Sequence, residues 1–270
     1  SRLRVACRRS STPGSAISVS GAQTATIANV TNPTTAGGVT FFVRITSYTG
    51  INGSTGPTDA GVVAASTAQT ITVTGTMPEY LGFCTGGAIT VTANVPICGS
   101  ATSGAITFNQ EFSPSDTATA TSMMAASTNA VSGYVITVTG TTLTSGSNTI
   151  PTIGASAIAA NTSRGTSKFG INLVSNTTTT STVAFGANIN PTSNGTNWRG
   201  LASSGFATAD SFALDLTGAT AIAKSDNTTP GTPAPTDGQA YTVSYIANVS
   251  GIQAPGSYVA TINYVCTPTF

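Results

Sequence analysis

Apolar side chains recur at every second position through long stretches of this 270-residue chain. Val39, Phe41, Val43 and Ile45 share one face of a predicted strand, with Thr40, Arg44 and Thr46 on the other. Ile71, Val73 and Met77 alternate with Thr70, Thr72, Thr74 and Thr76, which predicts a strand over 68–77. Tyr134, Ile136 and Val138 alternate with Thr137 and Thr139. Near the end, Tyr241, Val243, Tyr245, Ala247 and Val249 form one stripe, and Tyr258, Ala260, Ile262, Tyr264 and Cys266 form the next. A period of two belongs to a strand that buries one face. The connection SGIQAPG, with Gly251, Pro255 and Gly256, predicts that these last two strands make a hairpin whose tyrosines pair across it. Residues 118–126 read as a strand, because their first half alternates Ala and Thr, with Met123 and Met124 at its edge. No helical period persists beyond two turns.

Turn signals separate the strands: Gly37-Gly38, Gly50 to Pro57, Gly86-Gly87, Gly99 to Gly104, Gly146 to Pro151 and Pro230 to Gly238. Short strands at such intervals predict sandwiches rather than βαβ units. The expected fold class is all-β, with two immunoglobulin-like antiparallel β-sandwich domains. The first spans 1–78 and the second 79–270, divided where Met77-Pro78 ends one strand and Glu79-Tyr80 opens the next toward Cys84. Segments 150–165 and 176–209 read as loop-rich. The second holds the sole tryptophan, Trp198, beside Arg199, and these two are the candidate ligand contacts.

Composition turns this β pattern toward the outside of a cell. Charged residues make up only 6% of the chain while apolar ones reach 39%, so the solvent faces carry hydroxyls rather than ions. Net charge is +1, but Arg2, Arg4, Arg8 and Arg9 crowd the first nine residues and leave the remainder mildly acidic. An acidic body is a poor partner for nucleic acid. No apolar run approaches the ~20 residues of a membrane-spanning helix, so membrane insertion is not expected.

The four cysteines, Cys7, Cys84, Cys98 and Cys266, predict two disulfides in an oxidising compartment. Cys84 with Cys98 is the most economical pair; a loop of ~15 residues closed this way is worth about 3 kcal/mol. Cys7 and Cys266 then remain, either to staple one chain's first strand to its last or to crosslink neighbouring chains.

Histidine is absent, which removes Ser-His-Asp and Cys-His catalysis and the usual zinc sites. Asp210 and Asp215 are five apart and face opposite sides of a strand. Glu111 and Asp116 flank a turn, and Asp226 and Asp237 read as turn caps. No catalytic residue, metal or cofactor is expected, and the chain is read as a non-enzyme.

Several phrases resemble uncharacterised secreted Ser/Thr-rich surface proteins of candidate-phylum (Patescibacteria) bacteria: IANVTNPTTAGGVTFFVRITSY at 27–48, TVTGTMPEYLGFCTG at 72–86, ATATSMMAASTNAVSGYVITVTGTTLTSGSNTIP at 118–151, KFGINLVSNTT at 168–178, and YTVSYIANVSGIQAPGSYVATINYVCTPTF at 241–270. The resemblance implies an extracellular, cell-surface location and brings little functional knowledge. Similar proteins carry further β sequence before TNPTTAG, which implies a first domain open to completion by a neighbouring subunit's strand. A domain short of a strand leaves an edge that another chain can fill. The expectation is therefore a structural subunit of a pilus-like filament or fibre, a homopolymer built by strand exchange, with Arg2, Leu3, Arg4, Val5 and Ala6 in the donor strand. The alternative is a surface-layer or adhesin module that binds the cell envelope, host cells or host-surface glycans through its loops.

Overall fold

A computed structural model describes residues 38–48, 56–102, 104–177, 183–190, 196–228 and 230–270. The chain divides into two compact units, Ser1–Thr76 and Met77–Phe270. Every ordered strand ladder is antiparallel.

The described part of the first unit is a hairpin of β1 (Thr40–Tyr48) and β2 (Pro57–Ser66), in register from Thr40↔Ser66 to Ser47↔Asp59. Neither face is covered. Val43, Ile45 and Val63 are open on one side, and Phe42 (70% exposed) and Val62 on the other. Among the described residues, 68–77 join no sheet. Ile71 and Val73 are 88% and 90% exposed, so the strand expected there is a strand pattern with no described neighbour. Alternation supplies the faces, but a strand also needs a partner for its backbone groups. Residues 78–80 are held: the Tyr80 amide donates to Asn129 Oδ1 at 2.7 Å, and Asn129 Nδ2 donates to the Pro78 carbonyl.

The second unit is a β-sandwich. Its strands are β3 (Leu81–Gly86), β4 (Thr90–Thr92), β5 (Val95–Ile97), β6 (Ala118–Thr128), β7 (Tyr134–Gly140), β8 (Leu143–Ser145), β9 (Asn148–Ile150), β10 (Gly154–Ala159), β11 (Lys168–Asn172), β12 (Arg199–Ala202), β13 (Ser211–Leu214), β14 (Thr220–Asp226), β15 (Thr236–Asn248) and β16 (Ile262–Pro268). One sheet has the order β10-β13-β11-β15-β6-β3 and the other β12-β14-β7-β16; β4-β5 and β8-β9 are small hairpins. Ala93 and Asn94, both at positive φ, make the two-residue turn between β4 and β5. The Cys84–Cys98 disulfide ties β3 to the turn that follows β5.

One core lies between the sheets. Met124 of β6, Ile136 and Val138 of β7, Phe169 and Ile171 of β11, Ile222 of β14 and Val243 of β15 are all buried in it. Three expectations are corrected here. First, β15 and β16 are not a hairpin: β15 lies in the six-stranded sheet and β16 pairs with β7 in the other, so SGIQAPG crosses between sheets. Second, Met123 and Met124 are not at the edge of their strand: β6 runs on to Thr128 between β15 and β3, with Met124 wholly buried. Third, 150–165 is not loop-rich: β10, with six residues, and a 3₁₀ turn of four at Ala160–Ser163 take up most of it. A small outer cluster of Ala160, Phe212 and Ile246 covers part of the sheet's other face, which gives this weakly patterned stretch something to pack on.

Tyrosine hydroxyls bridge the sheets. Tyr134 of β7 and Tyr241 of β15 share a hydrogen bond of 2.8 Å, and Tyr245 of β15 meets Tyr264 of β16 at 2.7 Å. Ser122 of β6 completes the second group, 2.8 Å from the Tyr245 hydroxyl. Gly200 of β12 leaves room for the first pair, since a Cβ there would collide with the Tyr241 hydroxyl. Gly200→Ala is expected to lower stability by about 1–3 kcal/mol through overpacking. Chemical denaturation should show a smaller loss when the same change is made in a Tyr241→Phe background, because the colliding oxygen is gone.

Candidate functional site

The residues singled out for ligand contact stand at the start of β12. Trp198 is 5% exposed. Its Nε1 donates to the Pro230 carbonyl at 2.8 Å, and its backbone pairs with Pro235 and Asp237, each at 2.9 Å. The 230–237 segment thus closes over the indole. Trp198 is a buried plug: a lone large apolar ring gains more by burial than by facing water. Its burial could not be read from composition, because the covering segment is remote in sequence.

Arg199 remains 45% exposed, and its Nε lies 3.2 Å from Asp226 Oδ2. Burial pushes the Asp226 carboxyl up, but the Thr228 hydroxyl and amide and the Arg199 guanidinium outweigh it, leaving its pKa below the ordinary value. Beside Arg199 lies a cavity of about 280 Å³ lined by Val174, Asn188, Ile189, Leu201 and Gln239. Gln239 Oε1 is buried there with no hydrogen-bond partner among the described residues. The walls are mainly apolar, and no carboxylate pair faces the space.

Four other carboxylates have structural duties. Asp210 sits at positive φ before β13, and its two oxygens accept from the Thr177 amide and hydroxyl, both at 2.7 Å. Asp215 follows β13 and caps Thr217; those hydrogen bonds lower its pKa. Asp116 pairs with Arg164 at 3.3 Å. Asp237 accepts from Asn197 at 2.7 Å. Among the described residues no three His, Cys, Asp or Glu side chains gather as a metal site, and no helix is long and apolar enough to cross a membrane.

Of the residues expected to mediate assembly, Cys84 and Cys98 are joined. Cys266, on β16, is a free and half-buried thiol whose pKa burial pushes up to about 12. Cys7 and the donor residues Arg2, Leu3, Arg4, Val5 and Ala6 lie outside the described residues. The feature missed from sequence is the outer edge of β16, which no described strand pairs with. It was hidden because the last two stripes look like a hairpin, which would have given β16 a different neighbour. No family model matches the chain, and no curated protein matches it.

The bridging tyrosines give the second unit a defined alkaline response. Desolvation by burial is the largest cause raising the pKa values of Tyr134, Tyr241, Tyr245 and Tyr264 above the ordinary phenol value. Below about pH 10 folded and unfolded chains both keep these protons, so stability is unaffected. Above it the unfolded phenols ionise first, and stability falls by roughly 1.4 kcal/mol per pH unit for each tyrosine still protonated in the fold. Phenolate absorbance from these four is expected to appear together with the loss of far-ultraviolet β signal. Their ionisation in a chain that keeps its β spectrum would contradict the burial described.

Proposed function

We propose that this protein is an extracellular structural subunit of a pilus-like filament or fibre, assembled by strand exchange between copies of itself. The observation that carries this reading is the first unit's uncovered strand pattern. The β1–β2 hairpin shows apolar side chains on both faces, and residues 68–77 present Ile71, Val73 and Met77 to solvent with no strand partner among the described residues. A two-stranded hairpin alone is marginal in water, and exposed alternating segments are templates for another chain. Such surfaces favour association that covers them.

Three other features agree. The Cys84–Cys98 disulfide suits an oxidising compartment outside the cytoplasm. Hydroxyl-rich, charge-poor faces resemble those of secreted surface proteins. The carboxylates paired as Asp116–Arg164 and Asp226–Arg199, and Asp210 committed to Thr177, are ion-pair and turn-fixing groups rather than a convergent acid–base pair. The adhesin alternative loses its aromatic platform with the burial of Trp198. A head-to-tail contact between unlike surfaces yields an open fibre.

The purified chain is expected to form concentration-dependent filaments visible by negative-stain electron microscopy. Deleting residues 1–9, the donor strand of this reading, should leave monomers with an unchanged β spectrum. Filaments that persist without those residues would remove the donor role, and a chain that stays monomeric at every concentration would remove the fibre.

A further inference from the structure

The outer edge of β16 is built to receive a strand. Among the described residues its only ladder is with β7, in unbroken register from Ile262↔Gly140 to Pro268↔Tyr134. The Thr269 amide donates to the Gly133 carbonyl and the Thr141 amide to the Thr261 carbonyl, so the odd-numbered residues carry the bonds to β7 and its flanks. The even-numbered residues Ile262, Tyr264 and Cys266 therefore direct their backbone N–H and C=O groups at the open edge. Their side chains face the core yet stay half-buried, whereas Ile136 and Val138 opposite them are wholly buried. The missing cover is on the flank away from β7. Strand β3, the outermost strand of the other sheet, touches β16 and carries the similarly half-buried Phe83.

Three properties of the chain identify the occupant. Cysteine parity leaves Cys7 as the one remaining partner for the Cys266 thiol once Cys84 and Cys98 are joined. Leu3, Val5 and Cys7 alternate with Arg4, Ala6 and Arg8, so a strand with Cys7 beside Cys266 in parallel sets Val5 by Tyr264 and Leu3 by Ile262. Charge agrees as well: unit 1 holds five basic residues and one acid (+4), and unit 2 holds four basic residues and seven acids (−3). A basic segment of one copy thus meets the acidic unit of the next.

We propose that the outer edge of β16 accepts residues 2–9 of a second copy of this chain as an added strand, locked by a disulfide between Cys7 of that copy and Cys266. This rests on the strand-exchange reading and gives it an acceptor and a covalent latch. Neighbouring strands lie about 4.7–4.9 Å apart, which puts directly opposed Cα atoms inside the range a disulfide requires. In the chemistry, the Cys7 thiolate attacks a disulfide oxidant such as glutathione disulfide and releases one thiolate. Cys266 then gives up its proton and displaces the second thiolate from the Cys7 mixed disulfide. Two thiols lose two protons and two electrons in all, and the oxidant leaves as two thiols. The Cys266 thiol, held protonated by burial, reacts only once a donor brings the mixed disulfide to it.

The test uses the full chain, half of it labelled with nitrogen-15, mixed and incubated in a glutathione redox buffer. Non-reducing electrophoresis is expected to show a ladder of oligomers, and mass spectrometry a Cys7–Cys266 peptide containing one labelled and one unlabelled partner. Cys266→Ser should abolish the ladder while leaving the Cys84–Cys98 bridge intact, and Val5→Asp should abolish it with both thiols present. Crosslinked peptides of a single isotope would mean that the chain closes on itself, and the proposal would fall. Filaments that form with Cys7 and Cys266 still free would overturn the latch but leave the fibre standing. Absence of any assembly would remove both.

Discussion

The second unit depends on bringing two sheets together over a core that contains hydroxyls as well as hydrocarbon. A phenol buried without a partner costs on the order of 1–3 kcal/mol, enough to favour a different packing. Tyr134 meets Tyr241, and Tyr245 meets Tyr264, each time across the gap between sheets. The bonds are directional, so they restrict the relative setting of β7, β15 and β16 more closely than apolar contact alone. Gly200 shows how tight that setting is, because β12 runs past the Tyr241 hydroxyl with no space for a methyl group.

This closure is strongest at the centre and weakens toward the edges. Strands with neighbours on both sides, such as β6, β7 and β15, bury their inward residues fully. At β16 the same inward pattern is only half covered. The first unit carries the contrast further, with apolar residues on both faces of its hairpin open to solvent. A charge-poor chain with uncovered strand surfaces has few ionic barriers against edge-to-edge addition. In a fibre subunit that property serves assembly.

Much of the strand content was legible because alternation and burial follow from the same pleat. The stripes at 134–138 and 241–249 became buried faces of β7 and β15, and Ala118–Ala126 fell within β6. The nearer cysteine pair was legible from loop economy. The Trp198–Arg199 site was not, since an exposed ring and a plugging ring have the same local sequence. Segment 68–77 failed for a related reason: its alternation is as regular as that of β15, but no described strand lies beside it.

By itself the sequence determined the β character, the two-faced strands, the turn positions and the absence of histidine chemistry, because each is a property of local residue types and spacing. Only the tertiary structure decided which strands are neighbours. It sent β15 and β16 to opposite sheets, turned an expected cross-strand tyrosine pair into a bridge between layers, and left the outer edge of β16 open. Pairing partners are chosen by the sum of core packing and backbone hydrogen bonds over residues far apart in the chain. A period of two carries no record of that sum.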